Sequence, residues 1–367
     1  MGNNTTRDPG LDIVRILAMI GIVVVHIIGH GGILNACVNQ RDDISYWFAY
    51  WIDILAYTSV DCFGLLSGYL GLYRKKNTCY RLLELICIAF VYCIVITIVF
   101  KLMIPSSVVG VKSLLICLFP IIDGRYWYIT CYIPLALLQP YINKSLLTLD
   151  EKEHRRLSIL IIIVFGFLQS AVMKDLFAFN TGYSFVWLLC LYIIGSYIKR
   201  VDVLITVEGI RLKSLFVLLI CSLILLGGNV LIETIFHRKI LFFVNYISPI
   251  ILVMSACVIF VFRDLPILRF NKLIAMLSLV TYDVYLFHCH ILVHDSWILE
   301  KFGWIANSNV YMLPVYIIIS ALLIYGVSSI VGIIRHFVFK TTKLDVLIKY
   351  LSFKLDQLLY VNAKELK

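Results

Sequence analysis

The chain has 367 residues, of which 61% are hydrophobic and 15% charged, and its formal net charge is +10 at pH 7. Soluble domains contain roughly 45–50% apolar and about 25% charged residues, so this composition excludes both a water-soluble globule and a disordered chain. The mean hydropathy of +0.95 indicates a multi-spanning membrane protein. A membrane β-barrel is disfavoured because the apolar runs are continuous instead of alternating.

The apolar segments predict an all-α fold of about ten transmembrane helices, since each span needs about 20 residues. In chain order they cover residues 11–29, 46–72, 82–104, 125–142, 157–173, 183–198, 214–235, 243–262, 273–294 and 310–334. Residues 343–360 have apolar positions near helical spacing with lysines between them. This pattern predicts an amphipathic helix on the inner membrane face, with a short solvated helix as the alternative. The chain therefore divides into one transmembrane domain, 1–340, and a cytoplasmic tail, 341–367.

The basic residues indicate how the chain is oriented. With the N-terminus in the cytoplasm, most of the 32 Lys and Arg residues fall in loops on the cytoplasmic side and in the tail. This asymmetry fits the positive-inside rule for an even number of spans, so both termini are predicted to be cytoplasmic. The orientation places Cys37 outside and Cys79 inside. It also explains the positive charge by topology and anionic lipids, without nucleic acid.

Ionisable side chains inside apolar segments cost a few kcal/mol each, so they are candidates for function. Arg15 and His26 are eleven residues apart in the first segment. That spacing places them on one helix face, about 16 Å apart along the axis. An anionic donor group can bind Arg15 while its reactive end reaches His26, because imidazole is the usual general base near neutral pH. The alternative is that Arg15 extends to the membrane surface and His26 lies at the interface without a chemical role.

The second apolar segment carries buried carboxylates and is followed by a basic run. Asp53 and Asp61 lie within it, Ser67 lies in the sequence FGLLSGYL, and Arg74, Lys75 and Lys76 follow. The basic run suits the phosphates of a nucleotide-like donor, with topology alone as the alternative. The glycines beside Ser67 allow either close helix packing or close approach of a ligand.

Two further segments contain candidates. Tyr126 and Trp127 begin a middle segment, where they form either a platform for sugar rings or part of an interfacial aromatic belt. Asp283 and His288 lie in the ninth segment. No HExxH motif and no CxxC pair occurs, so a metal site is not expected, and the 11 cysteines are interpreted as free thiols. P-loop, GxGxxG and GxSxG motifs are also absent from the sequence.

In this order, the motifs resemble acyltransferase family 3, the integral membrane O-acyltransferases. The Arg-x10-His pair of that family is present as Arg15 and His26. Its second-span Ser-Gly-(Phe/Tyr)-Leu element corresponds to residues 67–70, its Tyr-Trp-(Phe/Tyr) element to 126–128, and its Tyr-Leu-(Ile/Phe)-His element to 285–288.

The resemblance implies transfer of an acyl group, usually acetyl from acetyl-CoA, to a hydroxyl of a cell-surface or capsular polysaccharide or its lipid-linked precursor at the cytoplasmic membrane. It implies that His26 is the general base or a transient acyl carrier and that Arg15 lies on the donor side. We expect acyl-CoA as co-substrate, membrane lipids and a carbohydrate or glycolipid as partners, and no permanently bound cofactor, metal or nucleic acid. The expected donor contacts are Ser67, Arg74, Lys75 and Lys76, and the expected acceptor or supporting residues are Asp53, Asp61, Tyr126, Trp127, Asp283, Tyr285 and His288.

Two other classes remain open on the sequence. A polytopic exporter or flippase of a glycolipid explains the spans and the intramembrane charges, but not the spacing of Arg15 and His26, and no internal repeat is visible. A non-catalytic membrane domain that binds a ligand is the second alternative.

Overall fold

A computed structural model describes residues 7–38, 44–74, 78–107, 110–119, 121–122, 124–202, 208–237, 242–265 and 269–360. Within this part of the chain the regular structure is helical, as predicted. The α-helices are α1 (Pro9–Ile28), α2 (Ile33–Cys37), α3 (Ile44–Gly71), α4 (Thr78–Met103), α5 (Gly110–Leu118), α6 (Trp127–Thr148), α7 (Glu151–Ile161), α8 (Gln169–Val172), α9 (Phe185–Asp202), α10 (Ile210–Phe236), α11 (Pro249–Phe262), α12 (Asn271–Leu279), α13 (Thr281–His288), α14 (Ile291–Trp297), α15 (Leu313–Thr341) and α16 (Leu344–Tyr360).

Five stretches of helix among the described residues are long and apolar enough to cross a membrane. They are Pro9–Ile28, Cys79–Met103, Glu151–Val172, Ile210–Phe236 and Leu313–Thr341. The helix α3 is as long as these, but its carboxylates, tyrosines and glycines lower its hydropathy. A helical, multi-pass membrane protein is therefore confirmed, while the number of ten spans and the cytoplasmic termini stay predictions.

The ninth apolar segment, 273–294, is not one continuous helix, because it is broken into α12, α13 and α14. That this segment crosses the membrane stays a prediction. Side chains end one helix and begin the next. Thr281 Oγ1 donates to the Ser278 carbonyl at the first break, at 2.9 Å. At the second, His290 has an extended backbone, and its ring accepts the Leu292 N–H at 3.3 Å. Hydropathy cannot show these breaks, because the residues at both are buried among apolar neighbours.

The helix α1 lies at the centre and packs against α3, α11, α12, α13 and α15. On its other side α3 meets α9 at backbone distance. A Cβ on Gly68 would lie 1.9 Å from the Tyr192 carbonyl oxygen, and one on Gly195 would lie 2.0 Å from that of Leu65. Small residues are what permits such close helix contacts in membranes. This contact fixes the part of α3 that carries Ser67.

The predicted tail helix is present as α16. It packs against α4 and α15, and Ile348 is 2% exposed in the same apolar core as Phe339. Apolar side chains such as Leu347, Tyr350 and Phe353 remain exposed on α16. Residues 361–367 of the predicted tail lie outside the described part of the chain. The placement of α16 on the inner membrane face stays a prediction.

Candidate functional site

A cavity of about 1270 Å³ lies beside α1, with walls from α3, α4, α6, α13 and α15. Arg15 and His26 both line it, as their common helix face predicts. One continuous space therefore reaches from the cationic part of α1 to the histidine near its C-terminal end.

Arginines collect at the Arg15 end of the cavity. Arg7 and Arg81 are close enough to Arg15 to act on its charge, and Arg74 is close to Arg81. We call these four residues and Arg335 the arginine cluster; all five line the cavity. Such a concentration of guanidinium groups is suited to phosphate, which arginine can bind through two parallel hydrogen bonds.

Asp12 positions Arg15. The Asp12 carboxylate is 1% exposed and accepts hydrogen bonds from Arg15 Nη1 at 2.8 Å, from Ser278 Oγ at 2.8 Å and from Arg7. Because one carboxylate serves two guanidinium groups, this end keeps a surplus of positive charge. Asp12 is not among the predicted site residues, although its spacing of three residues from Arg15 is a helical ion-pair spacing.

Asp283 and Arg335 form a buried ion pair in the cavity wall. Arg335 donates through Nε at 2.8 Å and through Nη2 at 2.7 Å, and Tyr92 donates its hydroxyl to Asp283 at 2.9 Å. The last predicted apolar segment ends at residue 334, one residue before Arg335, whereas α15 continues through Arg335 to Thr341. Its only signal in the sequence is its position directly after an apolar run.

Four histidines surround the other end of the cavity. The ring centroid of His26 lies 5.2 Å from that of His30, 5.2 Å from that of His288 and 6.2 Å from that of His294. We call these four residues the histidine cluster. His30 Nδ1 lies 2.9 Å from His294 Nε2, and His294 Nδ1 lies 3.0 Å from an oxygen of Asp295. The chain of hydrogen bonds thus runs from the cluster to a carboxylate.

The turn after α1 holds His30 in the cluster. The Glu300 N–H donates to the His30 carbonyl at 2.9 Å, and the Phe302 N–H donates to that of Gly31 at 2.8 Å. Gly32 has φ +89°, a left-handed conformation that glycine adopts without strain. Burial, with a smaller contribution from His294, lowers the pKa of His30 below its ordinary value, so the ring is neutral at pH 7. Sequence spacing cannot reveal this contact, because it joins two distant turns.

Cys289 lies between two members of the cluster. Its Sγ is 3.4 Å from His288 Nε2 and 4.0 Å from His26 Nδ1. Ligand atoms of His26, His288 and Cys289 lie within 4.8 Å of one another, a donor set that also suits zinc. No metal was expected because no metal-ligand motif occurs within one segment of the sequence, whereas these three ligands come from α1 and the end of α13. That expectation stays a prediction.

The three predicted intramembrane carboxylates have different surroundings. Asp283 is held by Arg335, as described above. Asp61 is fully buried and accepts a hydrogen bond from Trp187 Nε1 at 3.2 Å. Asp53 lines the cavity, and its Oδ1 has no hydrogen-bond partner among the described residues. Since Gly21 of α1 packs against Ser59 of the antiparallel α3, Asp53 lies at about the height of His26.

Tyr126 and Trp127 differ in exposure. Tyr126 is fully buried and donates its hydroxyl to the Leu286 carbonyl at 2.6 Å, so the prediction that its ring is a sugar platform is wrong. It instead joins α6 to α13. Trp127 lines the cavity, and its ring centroid lies 4.7 Å from that of Tyr183 and 6.5 Å from that of Tyr246. Both tyrosines also line the cavity, and neither was predicted, because they lie on separate loops.

Other predicted site residues also lie on the cavity wall. Ser67 lines it and donates to the Phe63 carbonyl at 2.8 Å, while Tyr285 lines it beside the histidine cluster. Arg74 belongs to the arginine cluster. The predicted donor contacts Lys75 and Lys76 lie outside the described part of the chain.

The comparisons with known proteins identify the family. A family model described as an acyltransferase domain, that of acyltransferase family 3, matches residues 8–333. The comparison with curated proteins found no match, and the comparison with solved structures found none either. The matched range includes Arg15, the whole histidine cluster and the helices that carry them, which makes this chain a member of acyltransferase family 3 and a multi-pass membrane acyltransferase.

Proposed function

We propose that the protein transfers an acyl group, specifically acetyl, from cytoplasmic acyl-CoA to a hydroxyl of a cell-surface or capsular polysaccharide or its lipid-linked precursor. The observation that carries this proposal is the single cavity with an arginine cluster at one end and a histidine cluster at the other. A donor with a phosphate-rich head and a reactive thioester at its far end matches that separation. Its phosphates need cationic groups, and its thioester must lie beside the catalytic histidine.

The donor head binds at the arginine cluster in this proposal. All five arginines of the cluster line the cavity, and Arg15 is held in place by the buried Asp12. Multiple charge-assisted hydrogen bonds to phosphate are stronger than neutral ones and fix the orientation of the ligand. The orientation of the termini predicted from the basic loops places this end at the cytoplasmic face, where acyl-CoA is available.

The acceptor enters from the opposite end. Trp127, Tyr183 and Tyr246 line the cavity with aromatic rings, and Asp53 adds a carboxylate oxygen, Oδ1, without a hydrogen-bond partner among the described residues. Aromatic rings and a hydrogen-bond acceptor are complementary to the C–H faces and hydroxyl groups of a sugar. This composition favours a carbohydrate acceptor over a purely apolar one.

His26 is the general base of the proposed reaction. A sugar hydroxyl is a weak nucleophile until its proton is removed, and a histidine is suited to that task near neutral pH. The hydroxyl oxygen attacks the thioester carbonyl carbon while His26 accepts the proton. The carbon–sulfur bond of the thioester then breaks, and the proton passes to the thiolate that leaves.

The test compares His26→Ala with the wild type in the native host. We expect the variant to reach the membrane normally, because an apolar side chain carries no insertion penalty. Acetylation should fall by at least about 100-fold, the lower range of general acid–base contributions. The measurement is acetate released by mild base from isolated surface polysaccharide, with membrane levels of each variant determined in parallel.

His237→Ala is the matched control, because His237 is an exposed histidine at the end of α10 and does not line the cavity. It should leave acetylation unchanged. Full acetylation with His26→Ala would contradict the proposal and favour an exporter of a glycolipid.

A further inference from the structure

Cys289 occupies a position that none of the roles above requires. Of the eleven cysteines, all within the described part of the chain, it is the one on the cavity wall. It ends α13, and the next residue begins α14, so the thiol sits at a break between two helices. His26 and His288 flank it at 4.0 and 3.4 Å.

The tautomer of His288 favours a thiol that donates its proton. His288 Nδ1 lies 2.5 Å from the Val284 carbonyl oxygen. A carbonyl oxygen only accepts, so Nδ1 carries the hydrogen, and Nε2 of the neutral ring is left as an acceptor. That acceptor faces Cys289 Sγ. A thiol hydrogen-bonded to an imidazole whose other nitrogen is fixed by a third group is the arrangement of an activated cysteine nucleophile.

We propose, resting on the acyl transfer proposed above, that Cys289 is a transient acyl carrier and His288 its base. In the first step Cys289 Sγ attacks the carbonyl carbon of acyl-CoA and gives its proton to His288. The carbon–sulfur bond to CoA breaks, His288 returns the proton to the CoA thiolate, and CoA leaves as a free thiol. The acyl group is then held as a thioester on Cys289.

In the second step the acceptor hydroxyl gives its proton to His26, and its oxygen attacks the same carbonyl carbon. The bond to Cys289 Sγ breaks, and the thiolate recovers a proton from the protonated His26. The products are the acylated acceptor and the free thiol, with no change in oxidation state. His288 is thus the base of the first step and His26 the base of the second.

The shape of the cavity agrees with two separate steps. The arginine cluster and the histidine cluster lie at opposite ends of α1, so a carrier near His26 allows CoA to leave before the acceptor binds. Exchange of one thioester for another conserves the bond type, so the acyl group on Cys289 keeps its reactivity toward a hydroxyl. Donor and acceptor then do not have to be bound in the cavity at the same time.

The experiment incubates purified full-length protein with radiolabelled acetyl-CoA in the absence of acceptor, followed by an acid quench. We expect about one acetyl group per chain, found on the Cys289 peptide by mass spectrometry and removed by neutral hydroxylamine, as a thioester is. Cys289→Ala should not be labelled and should lose polysaccharide acetylation by about 100-fold or more. Cys221→Ala, which changes a cysteine of α10 away from the cavity, should label like the wild type.

The two histidine variants separate the steps. His288→Ala should slow labelling, whereas His26→Ala should be labelled normally and keep its label when acceptor is added. If His26 were itself the carrier, His26→Ala would carry no label, and the proposal would be overturned. Stoichiometric zinc in the wild-type protein that is lost in Cys289→Ala would overturn it as well, since the thiol would then be a metal ligand.

Failure of the carrier and failure of the proposed function give different results. If Cys289→Ala, present at the wild-type membrane level, still acetylates polysaccharide at the wild-type rate, the carrier is excluded and the proposed function stands. If the wild type transfers no acetyl group to polysaccharide, the proposed function fails. Cys289→Ser, which keeps the size of the side chain, serves as the second variant if the alanine variant is poorly expressed.

Discussion

Arg15 is held in place by directed hydrogen bonding and not only by the attraction of its charge. Its Nη1 donates to Asp12, which also binds Ser278 and Arg7, so one nitrogen of the guanidinium group is tied to α1 and, through Asp12, to α12. The remaining N–H groups of Arg15 can then face a ligand in a set direction. A lysine ammonium at the same place is a point charge without this planar fork.

Arg15→Lys is therefore expected to impair donor binding although the charge is kept. Hydrogen bonds to charged groups contribute roughly 1.5–3 kcal/mol, so kcat/KM for acetyl-CoA should fall by about 10-fold to 100-fold. Initial rates of CoA release at varied acetyl-CoA measure this. Arg156→Lys on the exposed face of α7 is the control and should behave as the wild type. An unchanged kcat/KM in Arg15→Lys would show that charge alone suffices.

At the scale of helices, the contact between α3 and α9 decides how the cavity wall is placed. Gly68 of α3 lies against the Tyr192 backbone, and Ser67 next to it lines the cavity. The Ser-Gly-Tyr-Leu element thus combines a packing glycine with a cavity residue. Tyr69, its third member, points away from Ser67 to a hydrogen bond with Asp202.

Gly68→Ala should separate α3 from α9, because its Cβ would collide with a backbone carbonyl oxygen, which cannot move aside as the end of a flexible side chain can. Overpacking of this kind costs about 1–3 kcal/mol. We expect a lower thermal transition in detergent and less protein in the membrane. Gly227→Ala on α10, where a Cβ meets nothing within 4 Å, should be neutral. Equal stability of the two variants would argue against a close α3–α9 contact.

What the sequence could predict was local. Helical periodicity placed Arg15 and His26 on one face, and the continuous apolar runs predicted most helices within a few residues. The ion pair of Asp283 with Arg335 and the contact of His26 with Cys289 join helices far apart in the chain, and no spacing rule encodes them. Tyr126 was misread because an aromatic residue at a helix start looks the same whether its ring is exposed or buried.

For the whole molecule, the orientation of the two cavity ends determines which substrate reaches which cluster. Native cysteines do not report it, because Cys37 and Cys79 are 0% and 2% exposed. Residues on exposed turns are better reporters. Tyr311 is 79% exposed and lies just before α15, at the predicted outer end of the tenth apolar segment, whereas Lys152 is exposed in a loop predicted to be cytoplasmic.

In sealed cells, a membrane-impermeant maleimide should label Tyr311→Cys and should label Lys152→Cys only after permeabilisation. The expectation follows from the positive-inside rule applied to the basic loops. The wild-type protein, with its buried and half-buried cysteines, gives the background. The reverse pattern would place the arginine cluster on the outer side and require a donor from there.

The continuous cavity also bears on the energy stored across the membrane. A water-accessible path lined by histidines is a route along which protons can leak and discharge an ion gradient. Fixed positive charge in a narrow path repels protons and metal cations, as an arginine does in water channels. Five arginines line one end of the cavity, and we expect them to act as such a barrier between turnovers, when no donor fills the space. We therefore expect a variant without those charges to leak protons, a cost to the cell that is separate from lost catalysis.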